Sequence, residues 1–366
     1  MVSASLTSRP AGHWRRCAAL AAGALCCLAL MACAGKPASP TATTAATAAA
    51  PATLTATPVA GVEAAEPPTT LWRVAGVEPY CLQRADVNND GEQEWVGLAE
   101  ARDVTSSRVV GFVQQGASLL PLGPGASAGD LASKAFVVAD VPSCEVLIRD
   151  VNIDGLAEIL VFGDRADGSR QLSIFAWDGK GAYGLLASFA GSGVRIEGLS
   201  ADSAATITVR NRLSLGVLLE ETSGWGGKSF VSIGSRYISD ADYAGSYPTG
   251  TAEQALIAFY LNLQRRDLAS AYKLLSPAMR QRQTYDQFIQ SVAGVGSFEL
   301  GQISVVQSDA AQATLRAALI LRSVSDAQAS VEPFAAEWRM VRTEAGWRVD
   351  GVSLVSTAPT PTPCNC

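Results

Sequence analysis

Two short loops carry the residue types and spacing of a cation site. The first runs Asp86-Val-Asn-Asn-Asp-Gly-Glu-Gln-Glu94, and the second runs Asp150-Val-Asn-Ile-Asp-Gly-Leu-Ala-Glu158. Both place oxygen-bearing side chains at positions 1, 3, 5 and 9, with glycine at position 6. A hard cation such as calcium takes about six to eight oxygen ligands, and alternate residues of a tight loop can point their oxygens inward. The sequence therefore predicts a bound cation at each loop.

The same ligand set is predicted for both loops, with position 7 contributing a main-chain carbonyl. The predicted calcium ligands are Asp86, Asn88, Asp90, Glu92 and Glu94 in the first loop, and Asp150, Asn152, Asp154, Leu156 and Glu158 in the second. Position 12, where an EF-hand loop has its last glutamate, holds Gly97 or Val161. No nucleophile or base stands in the motif, so we expect the calcium to be structural. The alternative is a pair of Asx-turns without an ion.

Strand-like segments flank each loop, and further apolar segments broken by Gly and Asp indicate hairpins. A third copy over residues 198–206 keeps only Asp202 as a carboxylate, so we predict no metal there. The arrangement resembles the FG-GAP/VCBS type of repeat, and this resemblance implies calcium-binding loops on the blades of a β-propeller. Because only about three units are present, the expected fold of residues 71–247 is an all-β repeat domain resembling an incomplete propeller.

The N-terminal segment has the pattern of an export signal. Arg9, Arg15 and Arg16 precede an apolar run that ends in Leu-Met-Ala-Cys33. This ending resembles a bacterial lipobox, which implies that residues 1–32 are a signal peptide, that Cys33 is lipidated, and that the protein is anchored at the extracytoplasmic side of the cell envelope. An ordinary signal peptide and an uncleaved anchor are the alternatives. Residues 33–70 are rich in Ala, Thr and Pro and predict a linker.

Charge and histidine content exclude several classes of function. Cleavage before Cys33 would change the formal net charge from −6 to −9, because it removes three arginines and no acids. It would also remove His13, the only histidine in the chain. The mature protein could then use no histidine as a general base or metal ligand. An acidic chain without a basic tract also argues against a nucleic-acid partner.

Five cysteines would remain after cleavage, and four would be free to pair if Cys33 is acylated. Cys81 and Cys144 lie shortly before the two loops, at nearly equivalent places in successive repeats. They are expected either to form a disulfide, which would persist outside the cytoplasm, or to be two buried free thiols. Cys364 and Cys366 end a Thr/Pro tail over residues 357–366.

Residues 248–356 have a different character. Helix-capping patterns begin at Thr251, Asp267, Ser276 and Thr284, and several strand-like segments follow, with a hairpin turn predicted at residues 344–346. This order is α+β. The region resembles the nuclear-transport-factor-2-like (SnoaL-like) superfamily, which implies helices packed on a curved antiparallel sheet in the form of a cone with a pocket.

These observations predict a lipid-anchored envelope protein that acts as a non-enzymatic binding or assembly module, with structural calcium in its β-repeat domain. The expected partners are the membrane, through Cys33, and an envelope protein or a small ligand. One alternative is an enzyme that acts on a small apolar ligand in the C-terminal pocket, and another is a purely structural surface protein with both domains as spacers. Glu332 and Glu337 are the acids that such an enzyme would offer.

Overall fold

The computed structural model describes residues 69–74, 78–102, 107–123, 136–199, 203–325 and 328–356. A short helix, α1 (Thr69–Val74), opens the described chain. The first sheet contains β1 (Glu78–Ala85), β2 (Glu94–Arg102), β3 (Ser107–Gln115), β4 (Ser118–Pro121) and β5 (Val137–Ala139). Its strands are antiparallel in the order β1-β2-β3-β4, and β5 also pairs with β3. The first loop of the repeated motif therefore joins two consecutive, paired strands of this sheet, β1 and β2.

The second and third sheets are each built from four consecutive antiparallel strands. The second contains β6 (Val146–Arg149), β7 (Glu158–Asp164), β8 (Arg170–Trp177) and β9 (Tyr183–Gly191). The third contains β10 (Gly193–Glu197), β11 (Thr206–Ser214), β12 (Val217–Trp225) and β13 (Phe230–Ser239). Consecutive pairing of this kind keeps each sheet local in sequence.

The first three sheets pack face to face in series. Successive residues of a strand point to opposite faces, and β7 is buried on both. Ile159 belongs to the core shared with Val96 and Val113 of the first sheet, whereas Leu160 belongs to the core shared with Ile207 of the third. The second sheet is therefore the middle layer, which explains why residues 159–162 of β7 are apolar without alternation.

The C-terminal region begins with four helices and ends with a fourth antiparallel sheet. The helices are α2 (Ala252–Gln264), α3 (Leu268–Lys273), α4 (Pro277–Arg282) and α5 (Tyr285–Val292). The strands are β14 (Val295–Leu300), β15 (Ser304–Ser308), β16 (Gln312–Ser325), β17 (Gln328–Thr343) and β18 (Gly346–Ser356). The sheet order is β14-β16-β17-β18, with β15 also paired to β16.

The expected fold class is wrong. Strand accounts for 56% of the described chain and helix for 14%, and the sheets neither close like a propeller nor form a cone with helices packed on one curved sheet. Core packing explains the departure from the expected fold. Leu219 and Tyr237 of the third sheet share one core with α2 and with Trp338 of the fourth sheet. The Gln264 amide at the end of α2 donates to the carbonyls of both Tyr237 and Phe298, at 3.1 and 2.8 Å.

Candidate cation-binding loops

The two loops have nearly the same local geometry, although their sequences differ at several positions. In the first, Asp86 Oδ1 accepts a hydrogen bond from the Asn89 amide at 2.7 Å, and Oδ2 accepts from Gly91 at 3.0 Å. In the second, Asp150 accepts from Ile153 at 2.7 Å and from Gly155 at 2.9 Å. The first aspartate therefore draws the amides of positions 4 and 6 around its carboxylate.

The fifth position continues this pattern. Asp90 Oδ1 accepts from the Glu92 amide, and Asp154 Oδ1 accepts from the Leu156 amide, both at 2.8 Å. Position 4 adopts a left-handed conformation in both loops, with φ of 60° at Asn89 and 63° at Ile153. This conformation is strained for a β-branched residue such as Ile153. The second loop therefore keeps the geometry at an energetic cost that the first avoids.

The glutamate at position 9 is buried in both loops. Glu94 is 3% exposed and Glu158 is 1% exposed, and each accepts from the amide at position 2, Val87 or Val151. Burial is the main cause that raises the pKa of Glu158 to about 7; the Val151 hydrogen bond opposes it, and the charges of Asp154 and Asp150 add to it. Burial likewise raises the pKa of Glu94, and the charges of Asp90 and Asp86 add to this effect.

The donor chemistry of each loop fits a hard cation. Each offers three carboxylates, one amide side chain and a main-chain carbonyl, and no nitrogen or sulfur ligand. The Asn152 amide group donates to Asp154 Oδ2 and Glu158 Oε1, both at 2.9 Å, so the partial positive charge of an amide sits between two carboxylates. Across the described residues, however, no group of three or more His, Cys, Asp or Glu side chains is arranged to hold a metal ion.

Tyr183 is a residue near the first loop that the sequence did not single out. It begins β9 of the second sheet and is 1% exposed, and its hydroxyl has no hydrogen-bond partner among the described residues. Burial raises its pKa, as do the charges of Glu94, Asp90 and Asp86. The tyrosine is far from this loop in sequence, so only the packing of the two sheets could reveal that it lies near the carboxylates.

A disulfide joins Cys81 to Cys144, with the two Cα atoms 5.1 Å apart. Cys81 lies in β1 at an irregularity of the strand pairing, with φ of 56°, and Cys144 lies just before β6. The bridge therefore connects the first and second sheets shortly before each loop. Cys33, Cys364, Cys366 and Asp202 lie outside the described residues, so the predictions for them stay predictions.

Removal of this disulfide should lower the free energy of unfolding by about 2–4 kcal/mol, because it restores chain entropy to the unfolded state. Urea denaturation should show this loss when the variant carrying Cys81→Ala and Cys144→Ala is compared with the oxidised, unsubstituted protein. A reducing agent should produce a similar loss in the unsubstituted protein and no further loss in the variant. Equal midpoints for the oxidised protein and the variant would show that the bridge contributes no stability.

The C-terminal region encloses a small apolar cavity of about 60 Å³, lined by Phe259, Tyr260, Phe288 and Trp338 among others. Pockets for small ligands are commonly about 300–1,000 Å³. Among the described residues, no carboxylate lines the cavity. Glu332 is exposed, and Glu337 pairs with Arg316 at 2.8 Å. The acids named for the enzyme alternative are therefore not part of this cavity.

Comparisons with known proteins do not define a family for the chain. No family model and no curated protein matches it. Among solved structures, it is similar to a SEC-C motif containing protein from Rhodopseudomonas palustris, with 11% identity, a TM-score of 0.25, and coverage of 29% of this chain and 80% of that one. It is also similar to a nuclear-transport-factor-2-like protein with a cystatin-like fold from Novosphingobium aromaticivorans, with 15% identity, a TM-score of 0.23, and coverage of 30% and 80%.

A third similar structure is the intermembrane space region of the chloroplast protein ARC6, with 16% identity, a TM-score of 0.22, and coverage of 30% of this chain and 98% of that one. The second of these neighbours loosely matches the resemblance stated for the C-terminal region. With TM-scores this low, none of the three likenesses supports a conclusion about function. Within the described residues, no helix has the length and apolar character needed to cross a membrane.

Proposed function

We propose that this protein is a lipid-anchored module of the bacterial cell envelope that binds or assembles with other molecules, without catalysis, and that calcium in its two loops stabilises the β-sheet region. The observation that supports the calcium proposal is the shared geometry of the loops, in which corresponding aspartates accept from corresponding amides. A buried glutamate closes each loop. Calcium would neutralise carboxylates that otherwise repel one another, so its binding would be linked to folding.

Calcium should raise the melting temperature of the chain from residue 34 onward, which lacks the lipidated cysteine. A ligand at a hundred times its dissociation constant stabilises the folded state by about 2.7 kcal/mol for each site. Asp90→Ala combined with Asp154→Ala should abolish the increment, because each change removes a central carboxylate. The measurement is thermal unfolding with calcium and with a chelator.

Asp178 provides a matched control. It also lies before a glycine in a turn, and it accepts from the amides of Lys180 and Ala182 at 2.7 and 3.0 Å. Asp178→Ala should leave the calcium increment unchanged, since this turn is outside both motifs. If calcium leaves the melting temperature of the unsubstituted protein unchanged, and the purified protein contains no metal, the loops are Asx-turns only.

The envelope location is supported by the basic residues, the apolar run and the lipobox-like ending at Cys33. Metabolic labelling with a radioactive fatty acid in a bacterial host tests it directly. The unsubstituted protein should incorporate the label and sediment with membranes. Cys33→Ser should lose the label, and a labelled Cys33→Ser protein would contradict the proposed attachment site.

A further inference from the structure

A cleft with an excess of positive charge lies in the C-terminal region, far in sequence from both loops. Its volume is about 550 Å³, and it is lined by Lys273, Pro277, Arg280, Thr343, Glu344, Ala345 and Arg348. Three of these residues are cations and one is an acid. This excess is notable because the whole chain has a formal net charge of −6.

Backbone pairing holds the cations around one junction. Between α3 and α4, Leu275 forms a parallel bridge with Val349 of β18. The Ser276 amide donates to the Val349 carbonyl at 2.8 Å, and the Val349 amide donates to the Leu274 carbonyl at 2.9 Å. Lys273 ends α3, Arg280 lies in α4, and Arg348 precedes Val349. The bridge therefore brings all three cations to the same cleft.

The Arg348 guanidinium is held in place before any ligand binds. It donates to the Trp347 carbonyl at 2.7 Å through Nη1 and to the Ala345 carbonyl at 2.6 Å through Nη2. Burial lowers its pKa, and so does the nearby charge of Arg280. Both guanidinium groups line the cleft and their charges repel, and an anion bound between them would offset the repulsion.

The described structure shows no ion pair between these three cations and a carboxylate. Other arginines of the same region are paired: Arg316 with Glu337 at 2.8 Å, Arg322 with Glu299 at 2.7 Å, and Arg339 with Asp350 at 2.7 Å. The contrast shows that acids neutralise neighbouring arginines but leave the cleft positive. A cleft lined by charges of one sign concentrates its field on the opposite charge.

We propose that this cleft binds a phosphate group, with Arg348 and Arg280 donating hydrogen bonds to its oxygens and Lys273 adding charge. Arginine suits this role because its planar group presents several donors to a phosphate. The phosphate could belong to a free phosphorylated ligand or to a lipid headgroup. This proposal rests on the binding function proposed above and names the class of ligand for it. It involves no residue of the calcium loops.

Isothermal titration of the exported full-length protein in detergent micelles tests the proposal. The probes are inorganic phosphate and glycerophosphoglycerol, which is the deacylated headgroup of an anionic phospholipid. We expect saturable binding of at least one probe, weakening as the salt concentration rises. Tighter binding of glycerophosphoglycerol would indicate a lipid source, and tighter binding of phosphate would indicate a free ligand. The absence of binding by both would overturn the proposal.

Arg280→Gln should weaken binding at least 10-fold, and this exposed residue can be replaced without disturbing the core. Arg348→Gln should have a similar effect, with the melting temperature measured to show that the variant folds. Arg316→Gln, at a paired arginine of the same region, should bind like the unsubstituted protein. Equal weakening by Arg316→Gln would show that general charge is responsible and would refute a specific cleft. Failure of the calcium experiment would leave these results unaffected.

Discussion

Replacing Arg210 and Arg236 together by methionine should lower the free energy of unfolding by about 3 kcal/mol, because it leaves a buried carboxylate without a cation. Glu220 is 3% exposed, and both arginines donate to it through Nε at 2.8 Å. The arginine side chains are 44% and 43% exposed, so solvent screening places the expected cost near the lower end of the range for breaking a buried ion pair. Urea denaturation at neutral pH measures the loss.

Three further variants separate the effect of the buried charge from the loss of packing. Adding Glu220→Leu to the double variant should recover most of the stability, since the unpaired charge is then gone. Each single arginine variant should cost less than half of the double change, because the other arginine still pairs with Glu220. Equal stabilities of the double and triple variants would refute the electrostatic explanation.

The same site should make the protein sensitive to acid. Burial alone would raise the pKa of Glu220, but its hydrogen bonds with Arg210 and Arg236 and their charges lower it below the ordinary value of 4.5. A carboxyl whose pKa is lower in the folded state contributes its full stability above the unfolded value and loses it as the pH falls through the folded value. Glu220→Gln should therefore show a weaker loss of stability below about pH 4.5. An identical acid profile would contradict this assignment.

Trp338→Ala should lower the free energy of unfolding by about 3–5 kcal/mol, because it leaves a large cavity in the C-terminal core. Trp338 is almost fully buried on β17 and shares its core with α2 and the third sheet. Its ring packs edge-on against Tyr260 with centroids 5.7 Å apart, and its Nε1 donates to the Tyr260 hydroxyl at 3.2 Å. Chemical denaturation measures the cost.

Trp338→Phe is the matched control for this change. It keeps an aromatic ring against Tyr260 but removes the indole donor, so we expect a loss of about 1–2 kcal/mol. The third sheet shares the same core, so unfolding of Trp338→Ala followed by signals from the third sheet and from the fourth should give one transition. Separate transitions would show that the two sheets unfold independently.

Features that depend on neighbouring residues could be predicted from the sequence. The caps are confirmed at Thr251, Asp267, Ser276 and Thr284, each of which accepts a hydrogen bond from an amide three residues later. The turn at residues 344–346 is also confirmed, since β17 ends at Thr343 and β18 begins at Gly346. These features need only a short segment of chain and the correct side chain at a fixed spacing.

The arrangement of the sheets could not be predicted in this way. The resemblance to propeller repeats concerned the loops and the strands beside them, and those strands do form. The expected fold was wrong about which elements pack against each face of a sheet. Leu219 and Tyr237 pack with α2, so the third sheet joins the C-terminal core instead of continuing a ring. Alternating apolar residues show that a face is buried but do not identify what covers it.

The sequence by itself determined the loops, the helix caps, the hairpin turn and the acidic charge, because each depends on residues within a short stretch or on composition alone. Only the tertiary structure decided the proximity of Tyr183 to the first loop, the pairing of Glu220 with two arginines, and the meeting of Lys273 and Arg280 with Arg348. These contacts join residues on different strands or elements, and chain reversals and sheet packing bring such residues together.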